Sequence, residues 1–245
     1  MAARTVVRDS APAQTQVHGN PESWPAAKLA IHDAALDLFV RQGYAETSVA
    51  EVVAAAGLTK GAFYHYFASK DELLQACTER TLDLSLPPAR YIASLDITAG
   101  EAITRLFHEV VRNIEIYGRE VTLFLDEWQR GDRPELRSAH DRREEYERLI
   151  EGVIERGIKA GEFRPLATPR ILAFALFGLA THTRIWWRPN QPMTADELSG
   201  CFASIFLDGL RTEPSEKLDK PRPRGRNSTA IASAERNRRT GIPRR

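Results

Sequence analysis

The segment GLTKGAFYHYFASK, residues 57–70, places hydrogen-bonding side chains and aromatic rings at helical spacing. At 100° per residue, Phe63, Tyr66 and Phe67 share one arc of the predicted helix. The opposite arc offers an ammonium, a bare backbone, a phenol and an imidazole, supplied by Lys60, Gly61, Tyr64 and His65. Such groups suit non-covalent recognition of an anionic, hydrogen-bonding surface. A helix this short must be held by its neighbours, because isolated helices below about 12–15 residues are marginal in water.

Capping signals place helices on both sides of this segment. The preceding helix begins at the capping box of Ser48 and Glu51 and ends at Gly57. Thr59 is a suitable N-cap for the short aromatic helix, and a second capping box at Ser69 starts the next one. A helix, a tight turn and a short second helix form a helix-turn-helix, whose second helix enters the major groove of DNA. The pattern therefore predicts a DNA-binding unit.

The polar arc of the short helix is the expected DNA-reading face, and the aromatic arc is the expected anchor. The hydroxyl of Tyr64 and the ammonium of Lys70 can contact phosphates, and Gly61 allows close approach of the backbone. Ser48 lies at a helix N-terminus, where free amides favour phosphate. One observation opposes this interpretation: residues 24–80 hold five Lys/Arg and seven Asp/Glu, whereas phosphate binding normally leaves a basic footprint.

The stretch ETSVAEVVAAAGLTKGAFYHYFASKDELL, preceded by AALDLFVRQGY, resembles the DNA-binding domain of the TetR family of repressors. The resemblance covers about residues 25–75 without a gap. It implies an all-α, dimeric protein that leaves a double-stranded DNA operator when a small molecule binds its C-terminal domain. Carried over by position, it implies DNA contacts at Ser48, Thr59, Lys60, Gly61, Tyr64, His65 and Lys70.

The rest of the chain shows helical periodicity without the alternation typical of strands, so the expected fold class is all-α. A three-helix helix-turn-helix domain should precede a larger ligand-binding and dimerisation bundle. The pair Pro87-Pro88 is expected to end the fourth helix and mark the domain boundary. Later helices are predicted at residues 100–117, 119–129, 134–160, 169–187 and 195–211. The predicted domains are a disordered arm at 1–22, the helix-turn-helix domain at 23–86, the bundle at 87–212 and a basic disordered tail at 213–245.

Composition sets the expected compartment. The two cysteines, Cys77 and Cys201, imply no disulfide framework and fit a reducing cytoplasm. No stretch approaches the ~20 apolar residues that cross a bilayer, and no apolar signal region opens the chain. Residues 213–245 carry ten Lys/Arg and four Asp/Glu and few apolar residues, a composition typical of disorder. We therefore expect a cytoplasmic protein without a membrane partner.

The segment THTRIWWRPNQPMTADEL connects the last two predicted helices and offers a second kind of chemistry. Arg184 and Arg188, one turn apart, can bind phosphates, and Trp186 or Trp187 can stack on an adenine. The segment resembles the branch of the TetR family that senses fatty acyl-CoA or steroid-derived CoA thioesters, in which a W-x-R-P turn precedes the final helix. Here that turn is slightly compressed. The expected effector contacts are Arg184, Trp187, Arg188, Phe107, Phe124, Trp128, Phe174 and Phe177.

Other readings of these residues stay open at this point. The arginines and tryptophans equally suit a dimer interface or surface packing, and the phenylalanines equally suit an ordinary core. A two-fold interface of the last two helices would put two recognition helices about 34–36 Å apart on a pseudo-palindromic operator. The apolar residues expected in this interface are Phe174, Leu176, Phe202, Ile205 and Phe206.

Two other functions compete with a ligand-responsive homodimeric repressor. An all-α acyl-binding enzyme would need a nucleophile–base pair or a metal site, and the sequence suggests neither. A DNA-architectural protein without an effector would not need so much helical mass beyond residue 99. The candidate metal ligands, which lack short ligand spacing, are His108, Asp126, Glu127 and His182. We expect a repressor with no cofactor, no metal and no enzymatic activity.

Overall fold

The computed structural model describes residues 24–130 and 136–211. Within these ranges the chain forms nine helices and no strand, which confirms the all-α class. No helix of this part is long and apolar enough to cross a membrane. The predicted arm at 1–22 and tail at 213–245 lie outside the described residues. The helices are α1 (Ala26–Gln42), α2 (Val49–Ala55), α3 (Lys60–Tyr66), α4 (Lys70–Ser94), α5 (Ala99–Gln129), α6 (Arg137–Lys159), α7 (Pro169–Thr181), α8 (Thr183–Trp186) and α9 (Ala195–Leu210).

Helices α1 to α3 form the predicted helix-turn-helix, and its boundaries follow the capping signals. The hydroxyl oxygen of Ser48 accepts from the Glu51 amide at 3.2 Å, and the Glu51 carboxylate accepts from the Ser48 amide at 2.8 Å. Gly57 ends α2 with φ 66°, a left-handed conformation that glycine adopts without steric cost. Thr59 caps α3. Local chemistry therefore fixes both ends of the turn.

The aromatic arc of α3 anchors the helix, as predicted. Phe63 and Phe67 are buried, and Tyr66 is half-buried against the same core. The ring of Phe67 lies 5.9 Å from that of Phe63 and 6.3 Å from that of Trp24. Burying a phenylalanine stabilises by about 1.5–3 kcal/mol. Two such side chains offset the weak intrinsic stability of a seven-residue helix.

Helix α4 continues through Pro87-Pro88 to Ser94, so the predicted helix end at these prolines is wrong. Each proline removes an amide donor and costs about 3 kcal/mol in a helix interior. Leu86 and Ile92 are buried where α4 packs on α5 and α6, and each gains about 1.5–3 kcal/mol from burial. Tertiary packing therefore carries the helix past its breakers. The expected domain boundary falls inside a continuous helix, and the division into 23–86 and 87–212 stays a prediction.

Helix α5 joins two helices that the sequence divides. Tyr117 has φ −122° and ψ 36°, outside the helical region, and Gly118 follows it. The predicted break between residues 117 and 119 is therefore a kink in one long helix.

The helix predicted at 169–187 is divided at His182 into α7 and the short α8. At this point, side-chain hydroxyls compete with backbone amides for the helix carbonyls, which weakens the helical hydrogen bonding. Thr181 donates to the Phe177 carbonyl and Thr183 to the Ala180 carbonyl, each at 2.6 Å. The helix predicted at 134–160 begins at residue 137 in the structure, and residues 134 and 135 lie outside the described ranges.

Helices α4 to α7 pack as a bundle, and α9 packs along α5. The helix-turn-helix unit joins this bundle at two places. Helix α4 belongs to both, and α1 contacts α5 through an ion pair between Asp37 and Arg119. A second pair, Arg80 with Glu120 at 3.6 Å, connects α4 to α5 beside it. These contacts position the reading helix relative to the bundle.

Candidate functional site

Helix α3 presents the predicted polar face to solvent. Lys60, Gly61, Tyr64 and His65 are all exposed, and Tyr64 keeps 58% of its surface accessible although it is an aromatic residue. The edge of its ring rests on buried Phe63, with centroids 5.2 Å apart. The ring of Tyr64 is thus in contact with the core while more than half of the residue's surface stays accessible. The distribution of residues over the two arcs agrees with the helical spacing.

The two capping hydroxyls of the predicted site are already engaged within the protein. Ser48 donates its hydroxyl to the Glu51 carboxylate at 2.8 Å, and the hydrogen bonds from Ser48 hold the pKa of Glu51 below its ordinary value. A phosphate at Ser48 would therefore meet a carboxylate at the start of α2. Thr59 accepts from the Ala62 amide at 3.2 Å and keeps its hydroxyl proton for another acceptor.

Lys70 acts as a clamp within the helix-turn-helix unit. Its ammonium donates to the carbonyls of Tyr44 and Thr47, both at 2.8 Å, and lies 4.1 Å from the centre of the Tyr44 ring. Tyr44 in turn donates its hydroxyl to Asp71 on α4. Two of the three ammonium donors are therefore used to fix the α1–α2 loop to the start of α4. Only the third hydrogen of the Lys70 ammonium remains for the predicted phosphate contact.

A cavity of about 90 Å³ lies between α4, α5, α6 and α7. Its wall is mainly apolar, with Leu82, Ile114 and Phe124 among the lining residues. Polar side chains interrupt the apolar wall, and they are Thr81, Ser85, Asn113, Arg143, Tyr146 and Thr181. None of these polar residues belongs to the effector contacts expected from the sequence, although the hydroxyls at positions 81 and 85 lie one turn apart on α4 and so share a face.

The structure brings only part of the predicted effector set to this cavity. Phe124 and Phe177 line it. Trp128 is adjacent, because the guanidinium of the cavity residue Arg143 lies 4.0 Å from its ring centre. Phe107 lies elsewhere, with its ring 5.6 Å from that of Phe206. Phe174, the last of the five predicted aromatic contacts in this group, is on the exposed face of α7.

The tryptophan assigned to the nucleotide is corrected by the structure. Trp187 is only 2% exposed, and its indole nitrogen donates to the Met193 carbonyl at 3.0 Å. It packs in a small core with Val111 and Leu198, so its faces are not accessible for stacking. The neighbouring Trp186 is 46% exposed. Of the two tryptophans, Trp186 is the one with a face available to an adenine.

The two arginines lie outside the cavity wall. Arg184 pairs with Asp126 at 2.9 Å, and Arg188 donates to the carbonyls of Arg184 and Trp187. Leu125, the residue before Asp126, lines the cavity, but Asp126 and the two arginines do not.

The predicted dimerisation residues divide into two groups. Phe174 and Ile205 are exposed on α7 and α9. Leu176 and Phe206 are instead buried in the core of the protomer, and Phe202 is half-buried against it. Leu176 and Phe206 are therefore unavailable to a partner, because helix periodicity does not show which apolar stripe faces α5. The exposed apolar face of α7 and α9 also includes Ile171.

Catalytic and metal chemistry find no support in the described ranges. Ser199 lies 2.8 Å from His108, but the same nitrogen Nδ1 also faces Asp196, at 3.6 Å. A triad needs the two ring nitrogens to serve different partners, and Ser199 is fully buried. No group of three potential metal ligands occurs among the described residues.

These features together define a class of protein. A donor-rich helix is exposed on a helix-turn-helix, an unbroken helix leads from it into a bundle, and the bundle contains an apolar cavity. This arrangement is that of a DNA-binding regulator with a second, ligand-binding domain. Residues 31–77 match the family described as bacterial regulatory proteins, tetR family, and residues 96–210 match its tetracyclin repressor-like C-terminal domain. The chain belongs to the TetR family of transcriptional regulators and is not an enzyme.

Individual relatives agree with this assignment. The HTH-type transcriptional repressor KstR2 of Mycobacterium tuberculosis is 30% identical over 185 residues, which cover 74% of this chain and 91% of the relative. The solved structure of the ketosteroid transcriptional regulator KstR2 of the same species superposes with a TM-score of 0.72 at 26% identity, covering 81% and 100% of the two chains. AibR in complex with isovaleryl coenzyme A and operator DNA shares the fold, with a TM-score of 0.66 at 22% identity over 73% and 97%.

The clamp at Lys70 leads to a stability prediction. Lys70→Met should lower the free energy of unfolding by about 1–3 kcal/mol, because the carbonyls of Tyr44 and Thr47 lose a charged donor. Urea denaturation followed by circular dichroism measures the change. Lys60→Met is the matched control, since Lys60 is exposed on α3, and it should stay within about 0.5 kcal/mol of the parent. Equal midpoints for the two variants would show that Lys70 is not a clamp.

Proposed function

We propose that this TetR-family regulator is a homodimeric repressor that leaves its operator when an acyl-CoA thioester, or a similar apolar effector, enters the bundle. One observation carries the proposal: α4 clamps the reading unit through Lys70 and, farther along, lines the cavity with Thr81, Leu82 and Ser85. A helix is stiff over this distance, so a displacement at the cavity wall moves the reading unit. We place the protein in the cytoplasm with its operator, where free Cys77 and exposed Cys201 stay reduced.

We assign the DNA contacts to the exposed face of α3 and to the helix starts beside it. Tyr64 can donate its hydroxyl to a phosphate, and Lys60 can reach a phosphate or a base edge. Thr59 has a hydroxyl proton to donate. Ser48 and Lys70 contribute less, because Glu51 and backbone carbonyls occupy most of their hydrogen-bonding capacity. The remaining proposed contacts are Gly61 and His65.

Operator binding tests this assignment. Tyr64→Phe should weaken operator affinity about ten- to a hundredfold, because a hydrogen bond to a charged phosphate contributes about 1.5–3 kcal/mol. Fluorescence anisotropy with the upstream region of the gene, at one fixed salt concentration, measures the affinity. Tyr91→Phe is the control, since Tyr91 is an exposed tyrosine near the end of α4. Parent-like binding by both Tyr64→Phe and Lys60→Ala would exclude α3 as the reading helix.

We assign the dimer interface to the exposed apolar face of α7 and α9. Ile171, Phe174 and Ile205 are each about half exposed or more, whereas Leu172, Leu176 and Phe206 of the same helices are buried. Large apolar residues on one face mark an interaction surface, and a two-fold axis is the commonest way to close it. A dimer also supplies a second reading helix. One DNA-binding unit has no excess of positive charge, because residues 24–80 contain five Lys/Arg and seven Asp/Glu. The second reading helix adds DNA contacts that make up for this weak attraction to phosphate.

The oligomeric state follows from this face. The double variant Phe174→Glu with Ile205→Glu should be a monomer at micromolar concentration, because four carboxylates would be buried around the axis. Light scattering gives the mass. Ile116→Glu is the control, because Ile116 is an exposed isoleucine on α5, and it should stay dimeric. A parent protein that is monomeric at this concentration would refute the interface.

We assign the effector to the cavity and to the surface beside it. An acyl or ring group would enter the apolar cavity, and the charged part of the molecule would bind near Arg184, Arg188 and Trp186. The cavity measures about 90 Å³, whereas pockets for ligands of drug size run from about 300 to 1,000 Å³. A larger effector must therefore separate α4 from its neighbours. A DNA-architectural protein would have no use for such a cavity.

Release from DNA requires the effector to favour the separated arrangement. Moving the population from mostly bound to mostly free takes about 5.5 kcal/mol of differential affinity. The relatives support an effector of this chemistry: KstR2 is described as a ketosteroid regulator, and AibR was solved with an acyl-CoA on the same fold. Arg184 would exchange its partner Asp126 for a phosphate in this scheme.

The arginines provide the test of the CoA part of the effector. Arg184→Ala with Arg188→Ala should abolish the response to CoA thioesters while operator affinity stays unchanged, since neither residue lies in the helix-turn-helix. The measurement is the thioester concentration that releases half of the operator. Arg105→Ala is the control, because Arg105 is a partly exposed arginine of α5 that pairs with Glu101 at 2.7 Å and belongs to none of the proposed sites. Release by uncharged compounds but not by CoA thioesters would remove the arginines from the site.

A further inference from the structure

Thr81 has a polar atom that the protein itself leaves without a partner. The residue is 7% exposed, and its Oγ1 is buried without a hydrogen bond. It lines the cavity between α4 and α5. Buried hydroxyls in folded proteins are almost always bonded, so an unbonded one in a cavity wall needs an explanation.

The neighbouring hydroxyls of the cavity differ from Thr81 in this respect. Ser85 donates to the Thr81 carbonyl at 2.7 Å, and Thr181 donates to the Phe177 carbonyl at 2.6 Å. Both satisfy themselves on the backbone of their own helix, as threonine and serine commonly do. Thr81 sits in the same kind of helical position without doing so. Its hydroxyl is therefore without a partner inside the cavity wall, and a ligand that separates α4 from its neighbours can reach it.

Polar groups beside Thr81 form a strip across two helices. The Asn113 amide of α5 donates to the Ser85 hydroxyl at 3.2 Å, which fixes the amide against α4. The surrounding wall is apolar, and it includes Leu82, Val110 and Ile114, which are within four residues of Thr81 or Asn113 in the chain. A few placed polar groups within an apolar wall are what orient a ligand in a pocket.

The cavity offers no free charge. Of the described residues that line it, Arg143 carries the full positive charge, and its Nε donates to Glu147 at 2.8 Å. The guanidinium also stacks 4.0 Å from the centre of the Trp128 ring. Because Glu147 neutralises it, the polar atom of a ligand that reaches Thr81 is better matched when it is uncharged.

We propose that the Thr81 hydroxyl forms a hydrogen bond with an uncharged oxygen, a carbonyl or a hydroxyl, on an otherwise apolar effector. The proposal rests on the proposed function, since it specifies the ligand of that same cavity. A purely hydrocarbon ligand would leave the Thr81 hydroxyl dry and unbonded, whereas an oxygenated one satisfies it. Thr81 lies eleven residues after Lys70 on α4, about 16 Å along the helix axis. The discriminating contact is thus made on the same helix that clamps the reading unit.

Two matched probe pairs test the proposal. The first is cyclopentanone against cyclopentane, small enough for the cavity and free of any CoA; the second is octanoyl-CoA against the same thioester with a mid-chain ketone. Binding is measured by displacement of a fluorescent apolar dye and, for the thioesters, by release of operator. We expect the parent to bind the oxygenated member of each pair about three- to tenfold more tightly than the other member. Each affinity is first corrected for the different tendency of the two probes to leave water for an apolar solvent.

The variants are Thr81→Val and, as the matched control, Thr181→Val. Both replace a threonine in the cavity wall by an isosteric residue, but the Thr181 hydroxyl is already bonded to a carbonyl. Thr81→Val should lose the preference for oxygen and still bind the hydrocarbon, with unchanged operator affinity in the absence of ligand. Thr181→Val should keep the preference.

The outcomes separate this proposal from the function on which it rests. Equal binding of the two small rings by the parent, or an unchanged preference in Thr81→Val, overturns the role of Thr81. Loss of the preference in both valine variants also overturns it, because the effect would then belong to the cavity as a whole. If the small rings behave as expected while neither thioester binds, the reading by Thr81 stands and the acyl-CoA effector falls.

Discussion

The continuity of α4 is the constraint on which the rest of the structure depends. The helix begins at Lys70, whose ammonium is bonded to two carbonyls of the reading unit, and it ends at Ser94, beyond the residues that pack on α5 and α6. Two prolines inside it lack the backbone amides that donate helical hydrogen bonds, and an isolated helix would break there. Packing of Leu86 and Ile92 on the neighbouring helices compensates. The bundle therefore does not only carry the reading unit; it also keeps intact the helix through which an effector would act.

The small size of the cavity couples effector binding to movement of α4. A preformed pocket could take a ligand without moving its walls, and no signal would reach the DNA. The buried part of a ligand can exceed about 90 Å³ only if packed helices separate. Protein interiors are close-packed and respond by discrete rearrangement rather than by continuous deformation. Pro87 and Pro88 lie two and three residues after Ser85 on the cavity wall, and the backbone hydrogen bonds that they cannot form leave α4 easier to bend there.

The junction between reading unit and bundle is electrostatic as well as apolar. Asp37 pairs with Arg119, and Arg80 lies 3.6 Å from Glu120, whose side chain is buried. Burial also lowers the pKa of His32 in α1, which keeps that imidazole neutral beside these charges. The largely buried pair of Arg80 and Glu120 fixes the orientation of the junction, because another arrangement would leave the buried Glu120 carboxylate unpaired, whereas the more exposed pair of Asp37 and Arg119 contributes less. The kink at Tyr117 comes directly before Arg119 and Glu120 and sets the direction in which they meet α1 and α4.

The sequence by itself determined the local features of this protein. The caps at Ser48 and Thr59 and the turn at Gly57 depend on neighbours a few residues away, and the structure has them as predicted. The family, the all-α class and the two arcs of α3 followed from the same short-range patterns. These features need no knowledge of distant contacts, because the chemistry that specifies them lies within one or two helical turns.

Tertiary structure alone decided everything that depends on partners distant in the chain. It carried α4 through its prolines, buried Trp187, gave Lys70 its carbonyl partners and chose which apolar stripe of α7 and α9 faces α5. It also placed Thr81, Asn113 and Phe177 around one cavity, from three helices that are far apart in sequence. Helical periodicity gives the direction of a side chain relative to its own axis but not the neighbour it meets. The physical reason is that packing energy is shared among residues from several helices, and a pattern within one helix does not contain it.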